Sequence, residues 1–158
     1  MTTKKITPCL WFDNQAEEAA NFYVSIFKNS KIESISHYGK EGFEIHGQEE
    51  GTVLTVDFQI NGQPFTALNG GPVFKFNEAV SFQVFCETQD EIDSYWGKLT
   101  NGGQESGCGW LKDKFGLSWQ IVPAILPKLM NDPSKAGKVM KAFLQMKKFD
   151  IEKLLKAT

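Results

Sequence analysis

The chain has no arginine: all 17 basic residues among its 158 are lysine. A bidentate guanidinium clamp on phosphate or carboxylate is therefore excluded within the chain, which counts against strongly anionic ligands. The net charge of -2 provides no basic footprint for nucleic acid or an anionic membrane surface. Cysteine is sparse. Cys9, Cys86 and Cys108 are odd in number and form no Cys-x-x-Cys pair, which fits reduced thiols in a cytoplasmic protein. Long apolar runs are missing too. The N-terminal lysines are not followed by a signal-peptide core, and no stretch approaches the length of a membrane span. These absences describe a soluble, cytoplasmic protein of one domain, or of two small modules sharing a core.

What is present is a repeat. Pro8-Cys9-Leu10-Trp11-Phe12 and the run to Phe22-Tyr23 return as Ser81-Phe82-Gln83-Val84-Phe85 and the run to Tyr95-Trp96, about 73 residues later. In the first copy, Ile6 to Phe12 reads as a strand and Asp13-Asn14 as a helix cap, with Glu17 and Glu18 suiting the helix dipole. Ala16, Ala19, Ala20, Tyr23, Ile26 and Phe27 form one apolar helix stripe. Lys31 to Tyr38 is expected as a strand, and the glycine-rich segment 39–51 as a mobile loop. Thr52 to Ile60 and Phe65 to Leu68 are strands joined by an Asn61-Gly62 hairpin turn. Gly70-Gly71-Pro72 is the break between modules.

The second copy opens with a strand over Ala79 to Cys86. A helix follows, with Thr88 and Glu91 as a capping box, and ends at Asn101-Gly102-Gly103. Strands at Cys108 to Lys112 and Leu117 to Val122 flank a turn at Asp113 to Gly116. The lysine-rich remainder reads as one or two amphipathic helices, split near Asn131-Asp132-Pro133.

Four runs carry a family resemblance: Phe12-x-x-x-Ala16-x-x-Ala19-x-x-Phe22-Tyr23, Asn69-Gly70-Gly71-Pro72, Ser81 before Cys86, and Cys108-Gly109-Trp110 through Trp119-Gln120. With two tandem strand-helix-strand-strand-strand units, the chain resembles the PhnB-like branch of the vicinal oxygen chelate superfamily, the glyoxalase, bleomycin-resistance and dioxygenase group. The resemblance implies an α+β fold of paired βαβββ modules with a C-terminal helical tail. The expected layout is a single domain over 1–158, with modules at 5–70 and 73–123 and helices at 124–158. It also implies a homodimer. Catalytic members hold a divalent metal with one residue near the start of the first strand and one on the last strand of each module.

Counting back from the aromatic pairs places Pro8 and Ser81 at the first positions. Counting forward from the turn glycines places Thr66 and Gln120 at the second. Proline has no side-chain donor atom, and hydroxyls are weak ligands, so the expectation is no metal and no cofactor. Thr66, Ser81 and Gln120 are instead candidate ligand-binding residues, weighed against polar groups bonded inside a sheet. Cys108, between two glycines and beside Trp110, lacks a sequence-adjacent base, so a pocket-lining thiol is expected over a nucleophile. Trp110 and Phe74 or Phe76 are candidates to stack on a ligand, while Cys9 and Cys86 read as core. His37 and His46, with Glu44, Glu49 and Glu50, match no metal-ligand spacing and read as a solvated loop or flap.

Two classes of function stand. One is a metal-free protein that binds or sequesters a small organic molecule. The other is a metal-dependent lyase, isomerase or dioxygenase of the glyoxalase type. The family is often labelled demethylubiquinone methyltransferase. No Gly-x-Gly-x-x-Gly follows a strand, however, and a βαβββ repeat is not the doubly wound sheet that usually holds the methyl donor.

Overall fold

The computed structural model describes residues 5–158, so most of the N-terminal segment weighed above as a leader lies outside the described residues. The chain divides into two compact units, Met1–Lys75 and Phe76–Thr158. Each contains a four-stranded mixed sheet with one long helix on one face, and the fold is α+β.

The first unit runs β1 (Cys9–Phe12), α1 (Ala16–Ile26), β2 (Lys31–His37), a single helical turn α2 (Phe43–His46), β3 (Val53–Ile60) and β4 (Gln63–Asn69). Its strand order is β1-β4-β3-β2, with β1 parallel to β4 and the other pairs antiparallel. The predicted stripe on α1 is the buried one: Ala16, Ala19, Ala20, Tyr23, Ile26 and Phe27 are all covered. They pack on Leu10, Phe12, Val56, Phe58, Phe65 and Ala67, which alternate along the strands, as period-two geometry requires of a half-buried sheet. Asn61 and Gly62 both have positive φ, 47° and 77°, which is the primed turn that matches strand twist.

One local expectation fails here, and another gains detail. The cap of α1 is neither Asp13 nor Asn14. The N-cap position is Gln15, without a side-chain bond, and the Ala16 N–H is instead taken by Asn69 Oδ1 at 2.8 Å from the end of β4. Asn69 is buried and also donates to the Val53 carbonyl at 3.1 Å. The helix start is thus capped by a residue far along the chain, which no local pattern signals. Segment 39–51 is not featureless: it holds α2, whose His46 ring bonds the Gln48 N–H at 2.9 Å and lies 4.7 Å from the Tyr38 ring.

The second unit runs β5 (Ser81–Cys86), α3 (Gln89–Thr100), β6 (Gln104–Glu105), β7 (Trp110–Lys112) and β8 (Ser118–Pro123). Three short helices follow: α4 (Leu126–Met130), α5 (Ala136–Phe143) and α6 (Ile151–Lys156). Its sheet order, β5-β8-β7-β6, repeats that of the first. Thr88 caps α3 by accepting from the Glu91 N–H at 3.2 Å. The return bond of the expected box goes one residue upstream, from the Glu87 N–H to Glu91 Oε2 at 2.7 Å. Ile92, Trp96 and Leu99 of α3 are buried, as are Trp119 and Ile121 of β8 and Leu111 of β7.

The tail breaks twice, not once. Besides the split near Asp132, Asp150 starts α6 by accepting from the Lys153 N–H at 3.0 Å. The segment before it is pinned to the start of β7: Cys108 N donates to the Met146 carbonyl at 2.8 Å and Gly109 N to the Lys147 carbonyl at 2.7 Å. Phe149, 2% exposed, lies against Gly109. Among the described residues, no helix is long and apolar enough to cross a membrane.

Candidate functional site

In each unit one sheet face packs on the long helix and the other, the open face, is turned away from it. Strand parity decides what stands there. Leu10 and Phe12 are buried on the α1 side, so Cys9 and Trp11 belong to the open face. In the register, Cys9 is the partner of Thr66, so Cys9 and not Pro8 shares that face with Thr66. The reading of Cys9 as core is therefore corrected: its surface is open to solvent, whereas Cys86 is buried. The Pro8 carbonyl does accept from the Thr66 N–H at 3.0 Å, but only as backbone.

The reason is a loop that is one residue shorter. Eleven positions lead from Phe12 to Tyr23, but ten from Cys86 to Trp96. A count from the aromatic pairs carries that difference into the strand, where one residue reverses the face. By ladder register, Cys9 pairs with Thr66 as Gln83 pairs with Gln120, so Cys9 and Gln83 are the equivalent positions.

Thr66 is not isolated. Its hydroxyl donates to Asp57 Oδ1 at 2.7 Å, and Ser34 donates to Asp57 Oδ2 at 3.1 Å. Next to this pair, Ser36 and Thr55 share a hydroxyl bond of 2.5 Å. The open face of the first unit is a hydroxyl-rich network around one carboxylate. Packing on the sheet and the nearby Asp57 charge both push the Cys9 thiol up, so it stays protonated at neutral pH. Asp57 was passed over because a single Asp in a run of apolar alternation resembles an ordinary solvent-side residue.

In the second unit, Ser81 and Gln120 stand together on the open face, where Gln120 Nε2 donates to Ser81 Oγ at 2.9 Å. The register lines up two rows across the sheet. Ser81, Ser118, Lys112 and Gln104 form one; Gln83, Gln120 and Trp110 form the other. Trp119 and Phe82 lie on the opposite face, with ring centroids 5.6 Å apart. Beside the rows is a groove of about 540 Å³ lined by Cys108, Trp110, Lys112, Ser118, Gln104, Ser106 and Glu78 among others. Cys108 sits at φ 57° with its thiol 3.7 Å from the Phe143 carbonyl. Cys86, by contrast, is a core thiol that burial and the Glu91 carboxylate push up to about 12. A larger depression, about 940 Å³, runs between the start of α3 and the segment from Gln145 to Leu155, but none of the candidate residues lines it.

Phe74, another stacking candidate, packs edge-on against Trp11 at 4.9 Å. The His46 and Tyr38 rings pair with each other, and His46 Nε2 lies 2.9 Å from the Glu41 carbonyl oxygen. Among the described residues, no three His, Cys, Asp or Glu side chains converge.

The donor set of neither unit fits a divalent cation. Gln120 and Ser81 are neutral and joined by one hydrogen bond, and Thr66 donates to Asp57, so these positions bring one carboxylate where a hard cation needs several charged or imidazole donors.

A family model described as 3-demethylubiquinone-9 3-methyltransferase matches residues 4–122. Among solved structures, a PhnB protein of Bacillus cereus, described as a 3-demethylubiquinone-9 3-methyltransferase, is 41% identical; the match covers 77% of this chain and all of that one, with a TM-score of 0.68. A protein of Pseudomonas aeruginosa is 15% identical over 77% of this chain and 98% of its own, with a TM-score of 0.60. The fosfomycin resistance protein FosX of Listeria monocytogenes, solved with Mn(II) and sulfate, is 12% identical over 83% of this chain and 98% of its own, at 0.55. The last two show likeness of fold alone. No protein with a curated description matches this sequence. The chain therefore belongs to the family described as 3-demethylubiquinone-9 3-methyltransferase, the PhnB-like branch of the vicinal oxygen chelate superfamily.

Proposed function

We propose that this PhnB-like protein binds a small organic molecule without a metal. The ligand would lie on the open sheet face of the second unit, against Ser81, Gln120, Cys108 and Trp110; Thr66, on the open face of the first unit, would be a binding residue of that unit. The observation that carries this reading is the Gln120–Ser81 hydrogen bond. Ser81 and Gln120, which the count along the sequence placed at metal-ligand positions, are a neutral pair joined by one hydrogen bond, from Gln120 Nε2 to Ser81 Oγ. An amide orienting a hydroxyl is a recognition element: it presents a fixed donor and acceptor to a neutral polar group. The adjacent groove adds the half-buried Trp110 ring for stacking.

Support for a homodimer comes from large apolar side chains left open, among them Val73, Phe74, Val80 and Phe85, each more than half exposed. A cytoplasmic location suits the three unpaired thiols. The family's methyltransferase description gains no support from this architecture, because neither four-stranded mixed sheet is a doubly wound parallel one.

The test is metal analysis of purified, tag-free protein, followed by thermal-shift titration with Zn²⁺, Mn²⁺, Ni²⁺ and Fe²⁺. The expected outcome is substoichiometric metal and no saturable shift. A one-to-one metal that stabilises the protein and is lost in Gln120→Leu would refute the reading and favour the lyase and dioxygenase class. S-adenosylmethionine in the same assay is expected to leave Tm unchanged.

A further inference from the structure

Ser118 is the residue in the second unit whose chemistry the fold leaves unfinished. It is 1% exposed, and its Oγ has no hydrogen-bond partner. A buried hydroxyl without a partner is a rarity in folded proteins and asks for an explanation. This one lines the 540 Å³ groove rather than a closed apolar core. It stands in the ladder between Ser81 on β5 and Lys112 on β7, as the Cα partner of both. Directly opposed residues in a sheet bring their side chains to within about 5 Å, so the Lys112 stem and the Ser118 hydroxyl are neighbours on one face.

Lys112 already shows what it accepts. Its ammonium is held by the carboxylate of Glu78, on the segment leading into β5. Glu78 is 59% exposed and Lys112 36%, so this is a pair in contact with water and weakly held. Two donors, a hydroxyl and an ammonium, therefore share the floor of the groove. The acceptor now on one of them comes from a side chain that solvent could receive at little loss. The Trp110 ring and the Cys108 thiol supply apolar lining.

We infer that this groove binds a small monocarboxylic acid with a compact apolar body, its carboxylate replacing Glu78 on Lys112 and accepting from Ser118 Oγ, its body lying against Trp110. A single charge suits the site, since one lysine and no arginine stand there. Glu78 then serves as an internal competitor that keeps Lys112 neutralised in the free protein. This inference rests on the reading of the second unit's open face as a small-molecule site, and it adds the class of molecule.

The experiment titrates matched pairs, 4-methylbenzoate with 4-methylbenzamide and hexanoate with hexanamide, into ¹⁵N-labelled protein. Each acid is expected to bind at least about tenfold more tightly than its amide, with shifts at Trp110, Lys112 and Ser118. Lys112→Met is expected to erase that preference. Glu78→Gln is expected to tighten the acids several-fold and leave the amides unchanged, as removal of a competitor requires. Ser118→Ala is expected to weaken the acids while raising the Tm of the free protein, because it deletes a buried hydroxyl that has no partner. Acids that bind no better than amides, or a preference that survives Lys112→Met, would overturn the proposal. If amides bind equally well on the same residues, the carboxylate class falls and the small-molecule reading stands. If neither class perturbs this face, both fall.

Discussion

Asp113→Ala is expected to destabilise the protein by about 3–5 kcal/mol, among the largest effects of any single truncation. Asp113 is 3% exposed and sits in the turn between β7 and β8. One oxygen accepts from the Phe115 N–H at 2.9 Å and the Leu117 N–H at 3.1 Å; the other accepts from the Trp119 indole at 2.9 Å. Alanine would strand all three donors, two of them in surroundings that water reaches poorly. In a chain of this size the loss corresponds to a fall in Tm of roughly 10 °C. Asp113→Asn keeps one acceptor oxygen but turns its NH₂ toward a donor, so an intermediate loss is expected. Urea denaturation followed by tryptophan fluorescence would measure both. A loss below about 1 kcal/mol for the alanine variant would mean that the turn is held by its backbone alone.

The second large effect concerns glycines that look alike in sequence and differ in surroundings. Gly109 and Gly116 have nearly the same backbone, φ 79° and 86°. A methyl group on Gly116 meets nothing within 4 Å, so Gly116→Ala is charged only for the left-handed conformation, about 1–2 kcal/mol. On Gly109 the same carbon would lie 2.4 Å from the Phe149 ring and 2.7 Å from the Ile121 carbonyl oxygen. The carbonyl belongs to the central strand β8 and cannot yield, and Phe149 is the buried anchor of the tail. Gly109→Ala is expected to cost about 4 kcal/mol or more, with early proteolysis between Met146 and Asp150 as the tail detaches. Equal losses for the two variants, with a protected tail, would refute this account of how residues 146–149 dock.

The pattern of what was legible follows the range of the interactions. The α1 stripe, the Asn61-Gly62 hairpin and the Thr88 cap depend on residues within four positions of one another, and each stands where its spacing places it. The Asn69 cap on α1 and the pinning of Gly109 by Met146 to Phe149 join distant segments and leave no local trace. Strand β6, two residues long, is too short for any periodicity, and it is secured by the Trp96 indole donating to Glu105 at 2.9 Å. At the site, the bond between Gln120 and Ser81 follows from both occupying the open face of adjacent strands. The misplacement of Pro8 for Cys9 follows from the one-residue difference between the β1–α1 and β5–α3 loops. Ser118 gave no signal because serine on a strand is commonplace; only its burial without a partner distinguishes it.

The most direct measurement of the central claim is an amide and side-chain ¹⁵N map of the metal-stripped protein against a library of neutral and acidic fragments. Saturable shifts centred on the Gln120 side-chain amide, Ser81, Trp110 and Ser118, obtained in the presence of chelator, are the predicted result. Binding that appears only after a divalent metal is added, or that leaves these four residues unmoved, would contradict it.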